Sequence, residues 1–389
     1  MKKLKFILPS IILIAIIIIT VVLYIPKKDA MFINTGIDFQ DGKFNVVYND
    51  YAIYNGEQKT EIFEINRKKA ELKEYYSFEN NNELIDANNE KLLLKDENGY
   101  FVFNLKSKKS LRISTKEIPL NNDFNNITCR FSENGESIVV TKVLKDNKKP
   151  FKAGKIILGY KLKSNSGVYV YSASNGKKVL ETKLDKFGIS NTKKLEFSIA
   201  CIDGDNIGFV IRESAMGTTF YDEYYYSVST KNGKCSKIGS YSNSESLDVL
   251  NFKFSFANYY VNMNSTTVMV VDFKNRVSLK SALPTAGFNQ NCIVFLKEKS
   301  NSFVISRPNG LGYWECVVSN RNINFKELKS SQFEKNDYLI SQVSVGSKIE
   351  LSKTLLEKIK DKKIDGAYKT YSDNCYLAKS EDKFCIIYK

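Results

Sequence analysis

The amino-acid sequence predicts an all-β chain folded as a β-propeller of seven four-stranded blades, and three observations lead there. First, Gly167–Thr182, GVYVYSASNGKKVLET, reads as a strand of β-branched and aromatic residues, an Asn175-Gly176 turn, and a returning strand. Second, this form recurs at 60–75, 99–114, 223–240, 267–283 and 313–328, and KFCIIYK (383–389) is a seventh first strand with nothing after it. Third, nine Asn-Gly or Asp-Gly pairs, at 41, 55, 98, 134, 175, 203, 232, 309 and 365, punctuate the apolar runs. Such pairs tolerate the positive φ angles of hairpin turns. Taking Ile65, Phe103, Tyr171, Val228, Val271 and Val318 as equivalent, the steps are 38, 68, 57, 43 and 47 residues. A propeller blade needs about 40–50, so the shorter steps fit a bare blade and the longer ones hold insertions.

In chain order, Met1–Lys5 carries three Lys, and Phe6–Ile25 follows as twenty residues without a charge. A helix of that length spans about 30 Å, the hydrocarbon thickness of a bilayer. A secretory leader needs small residues at its cut, whereas Pro26-Lys27-Lys28-Asp29-Ala30 follows here. The expectation is an uncleaved transmembrane anchor at 6–25, a cytoplasmic N-terminus at 1–5 and an extracytoplasmic propeller at 31–389, the orientation resting on a small excess of Lys before the span.

Within the body, the 68-residue step holds TKVLKDNKKPFKAGK (141–155), whose six lysines, Lys142, Lys145, Lys148, Lys149, Lys152 and Lys155, form the candidate binding site for a polyanion. The alternative is a solvated hairpin. Phe252, Phe254 and Phe256 alternate as one buried face of a strand, in preference to an aromatic platform. In SKIELSKTLLEKIKDKK (347–363), Ser347 and Glu350 match a capping box, and Ile349, Leu355, Leu356 and Ile359 fall on one side of a short amphipathic helix expected on the propeller's surface. The orphan strand Phe384–Tyr388 needs an outer neighbour, because an open edge leaves backbone donors and acceptors unpaired. Met31–Phe39, MFINTGIDF, has no blade of its own and is expected to fill that place, closing the ring with both ends of the chain.

Composition excludes as much as it suggests. The chain has 389 residues with 25 Phe and 23 Tyr, ample material for a core. Histidine is absent, which removes Ser-His-Asp and Cys-His nucleophiles and every His-ligated metal site. No metal or other cofactor is expected. Seven Cys occur without a CxxC pair; six sit in apolar runs as buried thiols, with a Cys375–Cys385 disulfide as the alternative for that pair. Net charge is +15, of which residues 1–30 supply +4 and the rest +11. Such a field favours anionic partners over neutral ones. Heavy use of Ile, Asn and Lys resembles proteins of low-GC Gram-positive bacteria.

Short motifs add little chemistry. Ser190–Lys193 matches S-x-x-K and Ser372–Asn374 matches S-D-N, but K-T-G is missing and the surroundings are β-rich. Asp203–Asn206 resembles half of a calcium loop without the distal Glu, since Ser214 stands there, and reads as a turn. Asp222 and Glu223 are the nearest approach to the paired carboxylates of a glycosidase. No helix-turn-helix or RNP motif is present, and nucleic acid is not an expected partner.

In its strand pattern and its polar turns after each third strand, the body resembles the TolB-like and WD40-like β-propellers over residues 31–389, without a Trp-Asp or Gly-His signature. The resemblance implies the fold and leaves activity open, since propellers host binding modules and enzymes alike. The expected function is a binding or scaffolding module at the cell envelope, with an anionic wall polymer or an envelope protein as partner. The alternative is a carboxylate-based glycoside hydrolase or lyase.

Overall fold

The computed structural model describes residues 31–40, 42–48, 50–113, 124–132, 134–144, 150–153, 155–160, 167–183, 194–202, 205–214, 221–242, 252–256, 258–264, 266–284, 294–296, 301–306, 312–319, 321–329, 339–340, 348–349, 351, 353–359, 362–372 and 375–389. They form seven antiparallel sheets taken in sequence order. Blade 1 is Gly42–Tyr48, Tyr51–Gly56, Thr60–Asn66 and Glu71–Phe78; blade 2 is Glu83–Asn88, Lys91–Asp96, Gly99–Asn104 and Lys109–Arg112. Blade 3 is Phe124–Phe131, Ser137–Leu144, Gly167–Ser172 and Lys178–Lys183; blade 4 is Lys194–Ile202, Asn206–Ser214, Tyr221–Ser229 and Cys235–Ser242. Blade 5 is Phe252–Phe256, Tyr259–Met263, Thr267–Asp272 and Val277–Ala282; blade 6 is Val294–Leu296, Ser302–Ser306, Tyr313–Ser319 and Asn322–Leu328. Blade 7 takes Gly366–Lys369, Cys375–Ser380 and Lys383–Tyr388 from the end of the chain, and Phe32–Asp38 as its outer strand.

The six equivalent residues named from the repeat all lie in third strands and are at most 3% exposed. They are buried because each third strand has neighbours on both edges and another sheet against its faces. Strand alternation then splits every blade into two apolar faces. In blade 7, Phe384, Ile386 and Tyr388 pack with Phe44, Val46 and Ala52 of blade 1, while Cys385 and Ile387 turn to the other side. Successive apolar layers of this kind join blades 1 to 2, 2 to 3, 3 to 4, 4 to 5 and 5 to 6. Phe254 and Phe256 meet Phe303 edge-on in the last of these, so they are core rather than a platform.

The ends of the chain close the ring as the sequence predicts. Phe32 lies opposite Ile387, Ile33 opposite Ile386 and Asn34 opposite Cys385, antiparallel, with a bulge before Asp38 meets Lys383. Tyr388 N donates to Met31 O at 2.9 Å and Phe39 N to Asp382 O at 2.8 Å. The Lys383 ammonium reaches Asp38 Oδ1 at 2.6 Å, and Ile33 is fully buried. The strand supplies both the missing ladder and an apolar side chain for the core.

Five expectations need correction or qualification. No helix among the described residues is long and apolar enough to cross a membrane. The single-pass anchor with an extracytoplasmic body is therefore withdrawn: it rested on the hydropathy of 6–25 alone, and residues 1–30 lie outside the described residues. The helix is Lys353–Lys358, and the supposed capping-box region is instead a short strand, Lys348–Ile349, on the inner edge of blade 7. Leu355 and Ile359, four residues apart, are buried with Ile349 against the blade 7 face turned away from blade 1. That is a core position, not the surface. Leu356, rotated by about 100°, is 43% exposed.

Blades 6 and 7 each carry a fifth, two-residue strand: Leu339–Ile340 pairs with Val294–Leu296, and Lys348–Ile349 pairs with Gly366–Lys369. Cys375 and Cys385 are free thiols on opposite faces of blade 7, facing Tyr388 and Ala378 across the ladder, so no disulfide joins them. Finally, the Asn-Gly and Asp-Gly pairs are not uniformly turns, because Gly42 and Gly366 open strands and Gly56 closes one.

Candidate functional site

Antiparallel order puts two kinds of connection on each face of the ring. One face carries the turns between second and third strands, together with the links from one blade to the next. The basic insertion lies in such a turn, between the second and third strands of blade 3, and it folds as a two-stranded ribbon, Pro150–Ala153 against Ile156–Tyr160. Lys142 belongs to the second strand of the blade and Lys152 to the ribbon, and Lys155 is exposed at the ribbon's turn. Lys145, Lys148 and Lys149 lie outside the described residues. The ribbon agrees with the hairpin reading of this stretch, and no contact tests its binding role.

The same face holds a charged node that the sequence only half disclosed. Glu223 opens the third strand of blade 4 and is fully buried. Its Oε1 accepts from Arg212 Nε at 2.6 Å and Lys253 Nζ at 2.7 Å; its Oε2 accepts from Tyr225 OH and Asn262 Nδ2, both at 2.9 Å. Tyr260 OH lies 3.3 Å from Oε1. Burial alone pushes this carboxyl up, but the Lys253 and Arg212 charges outweigh it and hold it below the ordinary range. The same carboxylate and burial drive the Tyr225 and Tyr260 hydroxyls upward, so both stay protonated. Lys253 also reaches Tyr221 OH and lies over its ring.

This node ties blade 4 to blade 5. It is not a pair of catalytic carboxylates. Asp222, the adjacent residue, points to the other side of the strand and accepts from Ser242 Oγ at 2.7 Å. Consecutive strand residues cannot flank one bond. The signal available in the sequence was an ionisable residue in each of two neighbouring aromatic strands, DEYYYS and FKFSF.

A cavity of about 550 Å³ opens on this face between blades 1 and 2. Its walls come from the first strand of blade 1 (Gly42–Asn45), the Asn55–Glu57 turn and the Asn81–Leu84 link. Tyr371, from blade 7, forms the floor: its N–H donates to Val46 O at 3.1 Å and its hydroxyl to Ile85 O at 3.3 Å. One wall is stitched by Asn55 Nδ2, which donates to Thr60 Oγ1 at 3.1 Å, and by Asn82 N, which donates to the same oxygen at 2.7 Å. Asn45 Oδ1, by contrast, is buried without a hydrogen-bond partner. The sequence gave no hint of this cavity, since amide residues in turns are too common to mark one.

Among the described residues, no group of three or more Cys, Asp or Glu side chains is arranged to hold a metal ion. The thiols of Cys129, Cys316 and Cys375 are pushed up by burial, away from nucleophilic use.

No protein-family model and no curated protein matches the chain. Among solved structures, it superposes on the WD40 domain of SCAP from fission yeast with TM-score 0.32 and 6% identity, covering 89% of this chain and 68% of that one. Dipeptidyl peptidase 4 of Porphyromonas gingivalis gives 0.46 and 8%, covering 88% and 58%. The extracellular domain of a putative one-component system from B. thetaiotaomicron gives 0.39 and 10%, covering 92% and 43%. Scores this low carry no argument. The propeller assignment stands on the sheet order, the layered cores and the closing strand.

Proposed function

We propose that this propeller is a binding module that holds an anionic partner on the face bearing the blade 3 ribbon. The observation that carries the reading is the ribbon itself, a basic insertion folded as a hairpin in a second-to-third-strand turn, with Lys155 exposed at its tip. Residues 31–389 contribute +11 of the net charge, which favours a polyanion over a neutral chain. An anionic wall polymer belongs to the partner class these residues suit, and an acidic protein surface is the other member. Paired-carboxylate hydrolysis finds no support at Asp222 and Glu223, which face apart.

The test replaces Lys145, Lys148, Lys149 and Lys152 by Gln in the full chain and measures binding to inorganic polyphosphate and to purified wall polymer across a salt series. Each lost contact to a phosphate removes roughly 0.7–0.9 from the slope of log affinity against log salt. The reading predicts weaker binding and a shallower slope. Equal affinity and slope in parent and variant would reduce the ribbon to a solvated hairpin.

A further inference from the structure

The cavity between blades 1 and 2 lies apart from the ribbon and asks for a different chemistry. Its charged residues, Lys43, Glu57 and Glu83, are all exposed, so their charges sit at the rim in water. The polar groups further in are side-chain amides, Asn45 and Asn55, while Leu84 and Tyr371 supply half-buried apolar surface. Asn55 is already engaged with Thr60, but Asn45 Oδ1 is a buried acceptor with no donor. A buried polar atom left unsatisfied is costly, and natural structures keep one where something else satisfies it. The volume, about 550 Å³, falls within the range of small-molecule sites.

We infer that this cavity is a binding site for a neutral, hydroxyl-rich ligand of one or two sugar rings, with Asn45 Oδ1 accepting from a ligand hydroxyl. Hydroxyls both donate and accept, which matches amides at Gln40, Asn45 and Asn81. A carbohydrate ring also offers a C–H face to Leu84 and Tyr371. A cationic ligand would meet Lys43 on the same wall, and an anionic one would meet Glu57 and Glu83. The interior offers neither of them a counter-charge.

The orphan acceptor makes the test specific. In the full chain, Asn45→Leu removes a polar atom that the empty protein leaves unsatisfied, so its melting temperature should equal or exceed the parent's. Binding of the ligand should weaken tenfold or more. The probes are glucose, N-acetylglucosamine, maltose and chitobiose, with arginine amide as the cationic contrast, titrated by calorimetry and by saturation-transfer NMR. A second variant, Gln40→Ala with Asn81→Ala, alters only exposed rim residues and is expected to weaken binding without loss of fold. Saccharide binding that both variants weaken supports the assignment. Absence of binding by every saccharide, binding that both variants leave intact, or Asn45-dependent binding of arginine amide alone would each overturn it.

Discussion

At the scale of single residues, the structure separates positions that only one residue type can fill from those that merely read as polar. Gly176 has φ of +67°, and a Cβ there would run into the Arg112 carbonyl of blade 2. Its turn is twinned in blade 4: Gly176 N donates to Ser172 O and Gly233 N to Ser229 O, both at 2.9 Å. The Asn-Gly pairs of these two turns were legible because backbone chirality restricts the choice. Gly176→Ala should cost about 1–3 kcal/mol, from the left-handed backbone and the collision together. Urea unfolding measures it, and a loss below half a kcal/mol would show that the turn relaxes.

Buried charge behaves differently and was legible only in part. Glu223 is a carboxylate with two cations and three further donors, so removing it leaves Arg212 and Lys253 unneutralised in the blade 4–5 interface. Glu223→Ala should lose about 3–5 kcal/mol, read as a fall in urea midpoint; a near-neutral result would mean the node is solvated. Asp86 titrates in the opposite sense. Burial pushes its carboxyl up to about 6, although Phe131 N, Ala87 N and Arg130 partly offset this. The folded state therefore binds this proton more tightly than the unfolded one. Asp86 contributes stability that is complete below the ordinary carboxyl range and is lost as pH rises through about 6. Urea unfolding between pH 4 and 7 should show that loss in the parent and a flatter profile in Asp86→Asn. Identical profiles would contradict it.

At the scale of elements, the seven third strands were legible from a period-2 apolar pattern, and the closing strand followed from counting partners. The helix was recognised as amphipathic, but its place was not, because one apolar stripe fits a surface groove as well as an interface. Leu355 and Ile359 resolve the matter: they are 6% and 5% exposed, against blade 7. Leu355→Glu should therefore destabilise the protein by several degrees in melting temperature, whereas Leu356→Glu should be close to neutral. Equal effects would return the helix to the surface. The cavity could not be read at all, since its lining is drawn from blades 1, 2 and 7, which are brought together only by ring closure.

At the scale of the whole molecule, the central claim is that one ring of seven blades is closed by its two chain ends. Alternating strands and turn residues disclose such a fold because each blade repeats the same local physics. What binds to its faces is set by side chains that converge from distant blades, and no local pattern reports them. Closure couples blade 7 to blade 1 through the buried Ile33 and the ladder from Met31 to Phe39. Backbone amides in that ladder are predicted to exchange with solvent only when the ring opens. Hydrogen exchange of the native protein, followed by mass spectrometry, measures this on peptides spanning 32–38 and 383–388. The account predicts slow exchange of both segments, at matched rates that rise together in mild denaturant. Exchange of 32–38 within seconds, while 383–388 stays protected, would contradict closure by the N-terminal strand.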